Sequence, residues 1–178
     1  LVGVAASLTA GGAVRVIWGT ETPEGGVLAD EDGILGDTPG LLFGRSVEGA
    51  GDINGDGYGD LLVGATGFDT TEASDAGAVY LIHGDASGLT VTSPADAPAV
   101  FVGAETDGHL GESVASGDWD GDGKPDLLLG ADMAGPLGEG VAHLVVDGDR
   151  SGLLPVRDIS RAQLLGELTS DGFGGFVN

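Results

Sequence analysis

The 178-residue chain has 41% hydrophobic residues and no cysteine, so it can bury a core but holds no disulfide and no thiolate metal site. Its 29 acidic residues against 6 basic ones give a net charge of -23, which excludes nucleic acid as a partner and leaves cations as natural ones. No apolar run approaches the roughly 18 residues of a membrane span, so direct membrane insertion is not expected either.

The 36 glycines and 7 prolines follow no Gly-X-Y period and predict an all-β chain of short strands and tight turns. In chain order, LVGVA from Leu1, GAVRVIWG from Gly12 to Gly19 and ILGD from Ile34 read as three strands, here called types B, C and D. The acidic run Asp30, Glu31, Asp32 before the third is read as a solvated turn. A strand of a new type, A, then opens with Phe43-Gly44, and SVEGAGDINGDGYGDLLVGA, from Ser46 to Ala65, carries it through an acidic loop into the next B strand. GAVYLIHG (Gly77 to Gly84) is the second C strand, placing His83 on it, and FVGA at Phe101 is the second D strand.

The whole pattern then repeats. SVASGDWDGDGKPDLLLGA, from Ser113 to Ala131, copies the first A-loop-B segment with one residue fewer before the leading aspartate. GVAHLVV from Gly140, LLGE at Leu164 and a final FGGFVN (Phe173 to Asn178) supply C, D and the start of another A. Four short antiparallel strands recurring at a fixed period predict β-propeller blades, each burying its faces against its neighbours. The expected division is residues 1–42 as the end of a first blade, 43–109 and 110–172 as complete blades with an acidic loop each, and 173–178 as the start of a next. That makes about three blades, too few to close a ring. The reading is therefore part of a larger propeller, completed by further blades of the same polypeptide or by other copies of the chain.

The two loops place hard oxygen donors at alternate positions: Asp52, Asn54, Asp56 and Asp60 in the first, Asp118, Asp120, Asp122 and Asp126 in the second. The backbone carbonyls of Tyr58 and Lys124 stand at the intervening ligand position. Calcium takes six to eight oxygens at about 2.3 to 2.6 Å, whereas magnesium keeps its waters and zinc prefers nitrogen or sulfur. Two Ca2+ per chain are expected. The second loop, with four carboxylates against three and an amide, should bind more tightly. An EF-hand would need a glutamate at position twelve, where Val63 and Leu129 stand inside strand patterns.

The order Phe-Gly, acidic DxNxDGxxD loop, Gly-Ala strand end and GAVY resembles the FG-GAP repeat of integrin alpha subunits. The landmarks are Phe43-Gly44, Gly64-Ala65 and Gly77 to Tyr80, then Leu110-Gly111, Gly130-Ala131 and Gly140 to His143. Thr66 and Asp132 replace the proline of the motif, and Leu110 replaces its phenylalanine. The resemblance implies part of a six- or seven-bladed, calcium-stabilised propeller, extracellular or at the cell surface, that presents loops to a protein or glycan ligand. Alternatives are the non-catalytic part of a larger secreted enzyme of polysaccharide lyase or phospholipase type, and a structural subunit of an envelope or appendage. No catalytic residue is predicted. His83, His109 and His143 lack a partner pattern, and Ser46 and Ser113 recur as blade positions rather than nucleophiles. Trp119 is expected to turn away from the ion and cover a neighbouring blade.

Overall fold

The computed structural model describes residues 3–7, 12–17, 31–36, 39–86, 88–89, 93–167 and 175. The A segment expected at Phe173 to Asn178 lies outside them except for Gly175, as does Asp30. Among the described residues the chain forms strands β1 (Gly3–Ser7), β2 (Ala13–Ile17), β3 (Glu31–Gly36), β4 (Phe43–Gly51), β5 (Asp60–Ala65), β6 (Ala78–Ile82) and the short pair β7 (Gly84–Asp85) and β8 (Gly88–Leu89). After a 3-10 turn at Pro94–Asp96 follow β9 (Ala99–Val102), β10 (Leu110–Gly117), β11 (Asp126–Ala131), β12 (Val141–Val145), β13 (Gly152–Pro155), a one-turn helix α1 (Val156–Ile159) and β14 (Ala162–Leu165).

These make antiparallel meanders β1-β2-β3, β4-β5-β6-β9 and β10-β11-β12-β14, the B-C-D, A-B-C-D and A-B-C-D order that the repeats predict. The fold is all-β, built of propeller blades. Two details depart from the sequence reading. Glu31 and Asp32 begin β3 rather than lying in a turn, and His83 falls just beyond β6. Their order in the chain carries no marker of where a strand's hydrogen bonding starts or stops.

The middle sheet shows why the strands are apolar on both faces. Every residue of β5 and β6 is buried, because the sheet is packed between its two neighbours. Leu61, Val63, Ala65, Tyr80 and Ile82 meet Val14 in one core, while Leu62, Val79, Leu81 and Phe101 meet Leu110, Leu127, Leu129 and Val141 in the other. This is the continuous burial, without inside-outside alternation, that stacked blades impose.

Backbones approach closely along each seam, and the motif glycines make that possible. A Cβ on Gly64 would overlap the Gly111 carbonyl, and one on Gly111, which holds φ +94°, would stand 2.9 Å from Gly64 Cα. Ser46 Oγ donates to the Gly111 carbonyl at 2.8 Å, so this serine is a blade-to-blade fastener. Gly77 forms a parallel bridge with Leu110. The Phe-Gly and Gly-Ala landmarks are therefore two sides of one contact between successive repeats.

The extra residue of the first repeat becomes a β-bulge. Gly49 pairs with Leu61 and Gly51 with Asp60, so Ala50 is skipped, while the shorter repeat runs Ser116 to Leu127 and Gly117 to Asp126 without interruption. Ala50 is fully buried and Gly51 takes φ +72°, which lets the strand bend around the insertion without losing register. Besides the short β7-β8 pair, one more strand was not foreseen: β13, from the C-to-D connection of the third sheet, pairs in parallel with β9. It covers the outer edge of the middle sheet, which would otherwise present unpaired backbone groups.

Candidate metal centre

Both acidic loops join an A strand to a B strand, and their architecture rests on the last aspartate of each. Asp60 and Asp126 are buried, at 2% and 1% exposure, and each is met by backbone N–H groups. Asp60 accepts from Ile53 N at 2.8 Å and Gly84 N at 2.9 Å. Asp126 accepts from Trp119 N at 2.9 Å, Asp120 N at 3.3 Å and Asp147 N at 3.2 Å. Each carboxylate thus ties the start of its own loop to the end of the adjacent C strand. Gly84 and Asp147 stand at the same place after β6 and β12, and the recurrence of that position in both repeats is the signal that could have revealed them as anchors.

The leading aspartates close the turns. Asp52 accepts from Asp56 N at 2.9 Å and Gly57 N at 2.8 Å, and Asp118 from Gly121 N at 2.7 Å and Gly123 N at 2.9 Å. Asp56 and Asp122 cap Tyr58 N and Lys124 N, at 2.9 and 2.8 Å. These are Asx-type bonds, which hold a short loop in one shape at little entropic cost.

The loops differ in what they gather. In the second, ligand atoms of Asp118, Asp120 and Asp126 all lie within 4.8 Å of one another, and among the described residues this is the one such acidic or histidine-bearing trio. In the first, Asn54 takes the place of Asp120, and its amide Nδ2 donates to Asp56 Oδ2 at 2.9 Å. Asp122 stays outside the trio, exposed to solvent.

The trio suits a hard divalent cation. A carboxylate offers about four lone-pair directions. Two of those on Asp118, and three on Asp126, go to backbone N–H groups, which leaves free directions on both, besides those of Asp120. All donors are oxygens, as calcium and magnesium require and zinc does not favour. Between the loops, Asp52, Asn54, Lys124, Asp147 and Asp149 line a cleft of about 660 Å3. Lys124 reaches Asp147 at 3.7 Å with both groups exposed, a contact that contributes little.

Trp119 is 48% exposed, and its indole lies back over Gly117 of its own A strand. Having no side chain, Gly117 gives the ring a flat bed beside the loop. His109 Nδ1 lies 3.2 Å from Asp132 Oδ1 on the partly exposed opposite end of the sheet. His143 is a buried packing residue, and Ser46 spends its hydroxyl on the Gly111 carbonyl. Arg45 and Glu112, on the A strands of successive sheets, form a two-pronged ion pair, with Nε to Oε2 at 2.7 Å. The hydrogen bonds that Arg45 donates to Glu112, and then the charge of Glu112, raise the guanidinium pKa above its ordinary value.

Blades joined through glycine seams, with acidic hairpins between the first two strands, define a repeat of the integrin-alpha propeller class. The chain carries FG-GAP repeats, matched at residues 43–82 and 110–145. It is 38% identical over 103 residues to integrin alpha pat-2 of Caenorhabditis briggsae, covering 57% of this chain and 8% of that protein. It is 40% identical over 79 residues to the phosphatidylinositol-glycan-specific phospholipase D of Bos taurus, covering 43% of this chain and 9% of that one. Integrin alpha-6 of Gallus gallus is 38% identical over 98 residues, 52% of this chain and 8% of its own length. The chain thus spans less than a tenth of the length of each of these relatives. Among the described residues no helix is long and apolar enough to cross a membrane.

Proposed function

We propose that the chain is a calcium-stabilised, extracellular propeller module that presents a rigid surface to a protein or glycan partner. The observation that carries this reading is the gathering of Asp118, Asp120 and Asp126 in a hairpin tied by Asp126 to the C strand. A cation there would offset the repulsion of three clustered carboxylates and lock the connection between A and B strands. The ligand sets are Asp52, Asn54, Asp56, Asp60 and the Tyr58 carbonyl in one loop, and Asp118, Asp120, Asp122, Asp126 and the Lys124 carbonyl in the other. Water completes each shell, and two ions bind per chain. The likeness to integrin alpha chains supports a role in protein recognition.

Calcium titration of the full chain, followed by native mass spectrometry and calorimetry, tests this. Two ions are expected, the tighter in the Asp118 loop. With calcium near 2 mM and sites of Kd about 0.1 mM, linkage contributes about 1.8 kcal/mol per site. Chelation should therefore lower Tm and open both loops to proteases. Unchanged melting and uncut loops would defeat the proposal.

The likeness to phospholipase D favours a second reading, in which these blades are the non-catalytic part of a larger secreted enzyme. The discriminating observation is the neighbouring sequence in the full polypeptide. A hydrolase domain beside the blades supports the enzyme, and an adhesion module or anchor supports the first reading.

A further inference from the structure

The two seams of the middle sheet use the same backbone and fill it differently. In the seam toward β2, Phe43, Phe68 and Tyr80 form an edge-to-face group, with centroids 5.2 Å apart for Phe43 and Tyr80 and 6.3 Å for Phe68 and Tyr80. Backbone pairing identifies their counterparts one repeat later. Phe43 pairs with Ala65 as Leu110 pairs with Ala131, and Tyr80 pairs with Val63 as His143 does with Leu129. The Phe68 carbonyl accepts from Gly77 N as the Ala134 carbonyl accepts from Gly140 N. Three rings are thus replaced by a leucine, an alanine and a histidine.

The missing volume shows as a cavity of about 230 Å3, lined by Leu110, Ala134 and His143 together with Val141, Val156 and Gln163. A dry cavity of about 150 Å3 accommodates benzene, so this one has room for a substituted ring. Exposed Glu105 and Arg157 also line it.

The polar group inside has a defined tautomer. Ser160 Oγ donates to the Val156 carbonyl at 2.5 Å, so its oxygen can only accept from His143 Nδ1, 2.9 Å away. His143 therefore carries its proton on Nδ1, and Nε2 keeps a lone pair. Burial lowers the imidazole pKa to about 4, which leaves it neutral at pH 7 and without the charge to hold an anion.

We propose that this cavity binds an uncharged ring of the phenol class, seated where the preceding seam seats its own Tyr80 and Phe68, with its hydroxyl donating to His143 Nε2. The proposal does not depend on calcium or on the propeller's partner. The probe is p-cresol, titrated into the full chain and followed by methyl NMR, with toluene as the ring that lacks the donor. Methyl signals of Leu110, Ala134, Val141 and Val156 should shift while those of Leu61 and Val63, facing the filled seam, stay in place. Toluene should bind about tenfold more weakly, the loss of one hydrogen bond. Ala134→Phe should restore the ring that Phe68 supplies and weaken p-cresol at least tenfold, and His143→Leu should bring the two ligands to equal affinity. If either variant fails to fold, the comparison in the unaltered protein decides. Shifts confined to these four residues together with a preference for p-cresol support the site. Absence of shifts up to the solubility limit, shifts spread over both seams, or equal affinity for the two ligands overturns it.

Discussion

The seam before the middle sheet is closed by the protein's own aromatic rings, and the seam behind it is left partly open. Both share the same glycine approach and the same strand pairing. The difference separates two jobs within the repeat. Glycines at the Phe-Gly and Gly-Ala positions set how near two backbones come, and the side chains at the Phe43, Phe68 and Tyr80 positions decide whether the space between them is filled. The first requirement leaves no alternative residue. The second tolerates several, because a cavity at a blade edge costs a few kcal/mol rather than the fold.

Removing rings from the filled seam should have the largest effect. Phe43 is 1% exposed and packs on Tyr80, so Phe43→Ala should cost about 3 to 5 kcal/mol, whereas Leu110→Ala, beside an existing void, should cost less. Denaturant midpoints of the two variants check the order, and equal losses would mean that the seams are energetically alike. Next comes Gly64→Ala, whose new Cβ would meet the Gly111 carbonyl. About 3 kcal/mol is expected from forcing the blades apart, while Gly55→Ala, with open space around its Cβ position but φ +77°, should cost only the roughly 1 kcal/mol of its left-handed backbone.

The open seam should also respond to pH. His143 has a folded pKa lowered to about 4 by burial, against an ordinary 6.5, so the unfolded chain binds the proton more readily. Stability is full above about pH 6.5 and declines as pH falls toward 4. Between pH 6.5 and 5 the loss is roughly 1.5 kcal/mol. His143→Tyr, which copies the counterpart residue, should remove that slope, as thermal melts at the two pH values will show. The smallest effect belongs to the fastener: Ser46→Ala leaves the Gly111 carbonyl without its partly buried partner, at about 1 kcal/mol, measured by the same melts.

The acidic loops repeat the lesson on a smaller scale. Their spacing was legible because oxygen donors at alternate positions, twice over, have few physical explanations. What the spacing did not show is that Asp60 and Asp126 are buried and spend lone pairs on the chain itself, or that Asn54 turns its amide onto Asp56. The anchoring of Asp60 and Asp126 draws on Gly84 and Asp147, which lie far along the chain and reach the loops only after the strands pair.

The amino-acid sequence determined by itself the strand order, the repeat, the hairpin position of both acidic loops and the place of the inserted residue. Each of these is written in local pattern: apolar runs bounded by glycine, alternate carboxylates and self-similarity. Only the tertiary structure decided that Ala50 forms a buried bulge, that β13 covers the edge of another sheet, that Trp119 lies on Gly117, and that one seam is filled while its twin is hollow. These follow from which surfaces meet when one repeat stacks on the next. A residue's neighbour across a seam is set by three-dimensional packing volume, which no pattern within a single strand encodes.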